Sequence, residues 1–238
     1  KILKNTTTPL IEIMDTDGDP IDSCVGVSHY SAGYNMALAI MEKGHRRIGF
    51  LGTKMSSDFR ASKRFNGFVD GLQSNGIKLI DQENYSSGSS VEKGKNFTAE
   101  MLKRNQDLDC IYCSTDVIAM GAVMHCLEAG ISIPNELAIA GFNKLSMASG
   151  LPIKLATTDS LRFEIGKLAA NMILERNEQN ITNPAKTIEW VCDQINLIKF
   201  SNLILLPELW VYGAFNYDQK SVSFKHQQLL KELIELLK

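Results

Sequence analysis

The chain has 238 residues, 44% hydrophobic, 22% charged and 8% aromatic, with a formal net charge of −2. That size supports one large domain or two small ones, and the mix excludes disordered, collagen-like and disulfide-scaffold classes. A charge near zero argues against nucleic-acid binding through a general basic surface, and no apolar run approaches the roughly 20 residues of a membrane helix. No membrane partner is therefore expected.

Lys1–Thr6 carries neither the apolar core nor the small-residue cleavage site of a signal peptide. The chain does not begin with Met, so a processed or truncated protein is expected. Its five cysteines, Cys24, Cys110, Cys113, Cys126 and Cys192, are odd in number and lack framework spacing. Four lie in apolar runs, as reduced buried thiols do, which points to the cytoplasm.

In chain order, Leu10–Met14 reads as a strand ended by the turn cluster Asp15–Pro20, and Cys24–Val27 as a second strand. Ser28 or Ser31 can cap a helix with Met36, Ala37, Ile40 and Met41 inward, stopped at Gly44. Ile48–Leu51 is a strand. A helix from about Arg60 carries Phe65, Phe68, Val69 and Leu72 at helical spacing and closes at Gly76. Ser89–Arg104 is a helix and Leu108–Cys113 a buried strand. Thr115–Ala129 is a helix with Ile118, Val123, Met124 and Leu127 inward, closed by Gly130. Leu137–Phe142 is continuously apolar, as in parallel strands covered on both faces. Leu161–Glu175 is a last helix with Ile165, Leu168, Ala169 and Met172 on one face. Strands alternating with helices in this way imply βαβ units, hence an α/β fold with parallel sheets and helices on both faces. From Gln194 the alternation breaks, and a Leu-rich helix around Leu229–Leu237 fits a helix packed on its own protein or a partner helix.

Catalytic constellations are scarce. Cys110 and Cys113 have metal-knuckle spacing but sit in a strand, where residues three apart face opposite ways, and no second pair completes a zinc site. His29, His45, His125 and His226 show no ligand spacing, and the phosphate-loop, nucleophile-elbow and zinc-helix motifs are absent. No enzyme, cofactor or metal is expected.

Short signatures do recur in a fixed order: Gly44–Gly52, then Arg60, Arg64 and Gly67-Phe68, Ser114–Ala122, Gly130–Asn143, Leu155–Thr158 and Glu164–Ala170. Over about residues 9–192 this series resembles the effector-binding module of the LacI/GalR family of transcriptional repressors. Through Ile11–Asp15, Tyr85–Gly88 and Leu137–Phe142 it is most similar to the gluconate-utilisation repressors. The resemblance implies the fold of periplasmic sugar-binding proteins, two α/β lobes with a ligand cleft. Residues 28–156 would form the carboxyl-terminal lobe and 1–27 with 157–180 the remnant of an incomplete N-terminal lobe. Residues 181–194 would be a closing strand region, and 195–238 a tail without a family counterpart.

The resemblance also implies site residues. Arg64, three before Gly67, matches the family's effector-contacting basic residue, and a guanidinium fork can hold a carboxylate or adjacent hydroxyls. Arg60, one turn earlier, suits a sugar acid; a plainer alternative is that both arginines are solvated. Thr115 stands where the family usually has a ligand-binding Asn. Asn143 follows a strand end, replacing a frequent Asp or His. Tyr85 and Ser31 complete the expected set. Asp116, as N-cap or first-turn acid, is expected to be structural, and His45-Arg46-Arg47 to start a strand. The partners implied are a sugar or sugar-acid effector and a second copy in a homodimer. DNA would be met only through a helix-turn-helix domain absent from this chain. A periplasmic sugar-binding protein of a transporter, or a remnant without ligand function, are the alternatives.

Overall fold

The computed structural model describes residues 10–53, 55–85 and 88–180. It contains strands β1 (Ile11–Asp15), β2 (Ser23–Val27), β3 (Ile48–Thr53), β4 (Asp81–Tyr85), β5 (Cys110–Cys113), β6 (Ala138–Asn143) and β7 (Ala156–Asp159). The helices are α1 (His29–Glu42), α2 (Phe59–Gln73), α3 (Val91–Arg104), α4 (Asp116–Ala129) and α5 (Arg162–Asn180). The Leu-rich stretch near Leu229–Leu237 and the runs from Gln194 lie outside the described residues.

Strands β3 to β7 form one sheet in the order β4-β3-β5-β6-β7, every neighbouring pair parallel. The chain leaves β3 through α2 to reach β4 on one side, then crosses back through α3 to β5 on the other. The winding direction thus reverses between β3 and β5, and the carboxyl ends of those two strands flank the crevice where open α/β sheets bind ligands. Strands β1 and β2 pair separately as a two-stranded sheet. The fold class is α/β as read from the sequence.

Two compact units divide the chain. One comprises Met14–Asp19 and Gly26–Leu161 and holds the five-stranded sheet; the other holds residues 10–13, 20–25 and 162–180 of the described chain. In the first, the sheet is covered on both faces. Met36, Ile40, Phe68 and Leu72 of α1 and α2 pack on Ile48, Phe50, Cys110 and Tyr112. Met101, Ile118 and Val123 of α3 and α4 pack on Leu51, Ile111, Cys113 and Ile139. Residues of β5 therefore alternate between the two cores, and Cys110 and Cys113 fall in different ones.

Capping follows the local chemistry. Ser28, Asp58, Ser90 and Thr115 each accept a backbone N–H from the first turn of α1, α2, α3 and α4. Ser28, rather than Ser31, is the cap of α1. Two strands escape the sequence reading. Asp-Gln-Glu-Asn-Tyr in β4 is polar because an edge strand needs only one covered side, with Tyr85 alone fully buried. Strand β7 is the other edge, and its Ala156 and Asp159 are exposed. The expected inward face of α4 is corrected: Ile118 and Val123 are buried, but Met124 and Leu127 are 41% and 46% exposed. The buried stripe runs instead through the small residues Ala119, Gly121, Ala122 and Cys126, which let the helix lie close to its neighbours.

Close approach is what sets the α1–α2 pair. A Cβ on Gly33 would stand 1.9 Å from the Arg64 carbonyl oxygen, and one on Gly67 2.0 Å from that of Tyr30. Each helix thus rests its backbone on the other's glycine, fixing the turn that carries Arg64 against the first turn of α1. Overpacking a dense contact usually costs about 1–3 kcal/mol, and here the obstacle is backbone. Gly67→Ala is expected to lower the unfolding free energy from urea denaturation by at least about 1 kcal/mol, with Gly33→Ala similar; an unchanged midpoint would mean that the helices can separate freely.

Candidate functional site

The carboxyl ends of β3 to β6 gather one polar constellation around Arg64. This residue sits in the second turn of α2 and is 6% exposed. Its Nη1 lies 2.8 Å from His29 Nδ1, and its Nη2 donates to the Ser114 carbonyl at 3.2 Å, immediately beyond β5. The guanidinium carbon is 3.9 Å from the centroid of the Phe142 ring, so the cation lies over an aromatic face. Burial lowers the Arg64 pKa below its usual value, although a guanidinium stays charged throughout the physiological range.

Two buried polar atoms next to it lack a well-formed hydrogen bond, Arg64 Nε and the Tyr112 hydroxyl. Burial pushes the Tyr112 phenol up to about 12, and the nearby guanidinium opposes that rise. Among the described residues no carboxylate forms an ion pair with Arg64. Its cation is desolvated and held by neutral groups.

A chain of hydroxyls adjoins it. Tyr85, 2% exposed, places its hydroxyl 3.0 Å from both Ser114 Oγ and Ser89 Oγ. Thr115 Oγ1 donates to Ser89 Oγ at 3.2 Å while capping α4. The Tyr85 ring stacks on Phe97 with centroids 6.2 Å apart, which fixes the direction of its hydroxyl.

His29, the first residue of α1 and 2% exposed, joins this constellation from the other side. Its Nε2 lies 3.0 Å from the Met14 carbonyl oxygen. Burial lowers its pKa below 6.5, reinforced by the Arg64 charge. Beside it, Lys63 donates to Asp15 Oδ2 at 2.7 Å and to the Asp17 carbonyl at 2.5 Å.

Of the residues expected at the site, the structure brings together Arg64, Tyr85 and Thr115 through Ser114 and Ser89. Arg60 is exposed on the first turn of α2; its charge is felt by both His29 and Arg64, but it does not share Arg64's buried environment. Asn143 ends β6 with a left-handed backbone, φ 108°, and its carbonyl accepts a long 3.5 Å bond from Ser160 Oγ. Ser31 is exposed in the first turn of α1. Sequence reasoning missed His29, Ser89, Ser114 and Phe142. The signal for His29 was positional: an imidazole that opens a helix is well placed to meet groups beyond the strand ends.

Asp116 follows the cap of α4 instead of forming it. Fully buried, its carboxylate accepts from the Leu145 N–H and the Thr157 hydroxyl, both at 2.6 Å, and so ties α4 to the segments after β6 and in β7. His45-Arg46-Arg47 precede β3 as expected, with the Arg46 and Arg47 backbone N–H groups donating to Asp109 Oδ2 at 2.8 and 3.1 Å.

Residues 38–195 match the family model described as a periplasmic binding protein-like domain. The regulator IdnR of Escherichia coli K12, an HTH-type transcriptional regulator, is 33% identical over 184 residues, 77% of this chain and 54% of its own length. The GntR regulator of the same organism is 27% identical over 180 residues, 74% of this chain and 52% of its own. A crystal structure of a LacI-family transcriptional regulator from Silicibacter pomeroyi is 49% identical, with a TM-score of 0.73 over 76% of this chain and 55% of that one. The chain belongs to the periplasmic binding protein-like domains of LacI-family regulators. It spans about half the length of the curated relatives it matches.

Within this LacI-family domain, Asp116 carries a stability prediction. Asp116→Ala removes a buried acceptor of two short bonds, each worth about 1.5–3 kcal/mol when one partner is charged. A chemical-denaturation series should show a loss of roughly 3 kcal/mol, with Asp116→Asn intermediate. Loss below about 1 kcal/mol would show that the carboxylate is not the tie between α4 and β7.

Proposed function

We propose that this chain is the effector-sensing part of a LacI-family repressor and binds gluconate or a similar sugar acid without chemistry upon it. The observation that carries the reading is Arg64: a desolvated cation whose bonding partners among the described residues are all neutral, at the carboxyl ends of β5 and β6. An anion supplies the counter-charge that folding left out. The hydroxyls of Tyr85, Ser89, Ser114 and Thr115 can each donate or accept, which suits a polyol. Arg60 would strengthen the field from the rim, and Asn143 and Ser31 would add contacts to hydroxyls. The names IdnR and GntR belong to the relatives at 33% and 27% identity and agree with the sugar-acid assignment.

In this reading the unit holding the five-stranded sheet, expected at about residues 28–156 and reaching Leu161 in the structure, is one lobe, and residues 10–13, 20–25 and 162–180 belong to the other; the expected closing region 181–194 and the tail 195–238 lie outside the described residues. Ligand acts by differential affinity for two arrangements of the lobes, read out in a homodimer by helix-turn-helix domains. Buried thiols at Cys110, Cys113 and Cys126 fit the reducing cytoplasm.

Calorimetry on the 238-residue chain with gluconate and with glucose tests the assignment. Gluconate should bind about ten- to a hundred-fold tighter, the equivalent of one charge-assisted hydrogen bond of roughly 1.5–3 kcal/mol. Arg64→Ala should abolish that preference and Arg64→Lys recover only part of it, because an ammonium lacks the fork. Equal binding of the two sugars sinks the sugar-acid reading.

A further inference from the structure

We infer that His29 is the positioning residue for Arg64, holding the guanidinium through a neutral imidazole whose tautomer the Met14 carbonyl selects. The inference rests on the reading of Arg64 as the effector-binding arginine and adds the group that orients it.

The hydrogen-bonding partners allow only one state of the ring. A carbonyl only accepts, so Nε2, 3.0 Å from the Met14 oxygen, must carry the proton. A guanidinium only donates, so Nδ1, 2.8 Å from Arg64 Nη1, must present its lone pair. An imidazolium would set N–H against N–H and two cations in contact, with 2% and 6% exposure to relieve them.

The charged groups around the ring weigh the same way. Burial acts most strongly, and Arg64 and then Arg60 from α2 also disfavour a second proton; Asp15 from β1 and the bond to the Met14 carbonyl oppose them, and the net shift is downward. The ring is also the first residue of α1, where the helix dipole opposes positive charge. Asp15 is itself engaged by Lys63 and held below its ordinary pKa.

Met14, whose carbonyl sets the tautomer, has a left-handed backbone with φ 81°. The segment it begins is anchored at further points. Lys63 binds Asp15 and Asp17, and the Tyr30 N–H donates to Asp17 Oδ2 at 2.9 Å. The adjacent residues Lys63 and Arg64 therefore point to different tasks, one to this segment and one to the strand ends. His29 bonds to Met14 of this segment and to Arg64.

The sign of the pH dependence follows. His29 is neutral at pH 7 and stays so below its ordinary 6.5. As pH falls through its lowered pKa, the acceptor is lost and Arg64 is repelled, so affinity for an anion drops, approaching about tenfold per pH unit below that pKa.

The test uses the 238-residue chain, wild type, His29→Asn and His29→Gln, with gluconate as probe. Asn places an acceptor near the Nδ1 position and cannot titrate; Gln reaches towards Met14 but offers Arg64 nothing. The expected result is wild-type affinity within about threefold for Asn with the acid loss removed, and at least tenfold weaker binding for Gln. Nitrogen NMR of the ligand-free protein gives an independent readout. His29 Nδ1 should be unprotonated at neutral pH, and rotation of the Arg64 guanidinium should be hindered in wild type and Asn but free in Gln. If gluconate fails to bind wild type while Arg64 is hindered, the ligand reading falls and the positioning role stands. A protonated Nδ1 at pH 7, or a freely rotating Arg64 in the wild type, overturns the inference even if a variant does not fold.

Discussion

The structure turns on a single unpaid cost: a guanidinium withdrawn from water with no carboxylate among the described residues to meet it. Desolvating a cation is expensive, and buried charges are ordinarily paired. Arg64 receives a ring nitrogen, a carbonyl and an aromatic face instead, with Asp58 acting on it only through its field. Such partners orient the charge without neutralising it. A fully paired arginine would make a more stable protein and a poorer anion site, because a ligand would have to compete with a resident carboxylate.

Everything that holds Arg64 follows from backbone proximity. The glycine contacts of Gly33 and Gly67 bring α1 and α2 close enough for the Arg64 side chain to reach both the start of α1 and the end of β5. The sheet order then decides which strand ends those are, since the reversal between β3 and β5 leaves Ser114 at the crevice. The same logic explains why Asp116 is structural although its neighbour Thr115 joins the hydroxyl chain. Their side chains leave the first turn of α4 in different directions, one to Ser89 and one to Thr157 and Leu145.

Most of the architecture was legible in periodicity and punctuation. The start of α4 at Thr115, that of α1 at one of two candidate serines, that of α3 to within two residues, and the closing glycines Gly44, Gly76 and Gly130 with positive φ follow local rules that depend on a few neighbouring residues. The edge strands β4 and β7 were not legible, because a strand covered on one side need not be apolar. The exposure of Met124 and Leu127 was hidden for the converse reason: the buried face of α4 is built from small residues, and hydrophobic size misled. At the candidate site, the family resemblance pointed to Arg64, Tyr85 and Thr115, which the structure brings together through Ser114 and Ser89. That resemblance did not point to His29, whose contact with Arg64 joins residues 35 apart in sequence and exists only once two helices cross.

That contact also explains why a neutral partner suits this place better than an acidic one. A carboxylate at position 29 would bind the guanidinium more strongly and cancel the field that an anionic ligand needs. An amide or imidazole acceptor fixes direction while leaving the charge exposed to the ligand. The imidazole at position 29 also carries one donor on its opposite side, Nε2–H, which reaches the Met14 carbonyl and ties the orientation of Arg64 to a left-handed residue near the end of β1. On the proposed reading, charge selectivity then resides in Arg64, recognition of hydroxyls in the Tyr85–Ser89–Ser114–Thr115 chain, and the alignment of the two in a ring that is effective only when uncharged. Each group does one job, and the arrangement works because none of the three neutralises another.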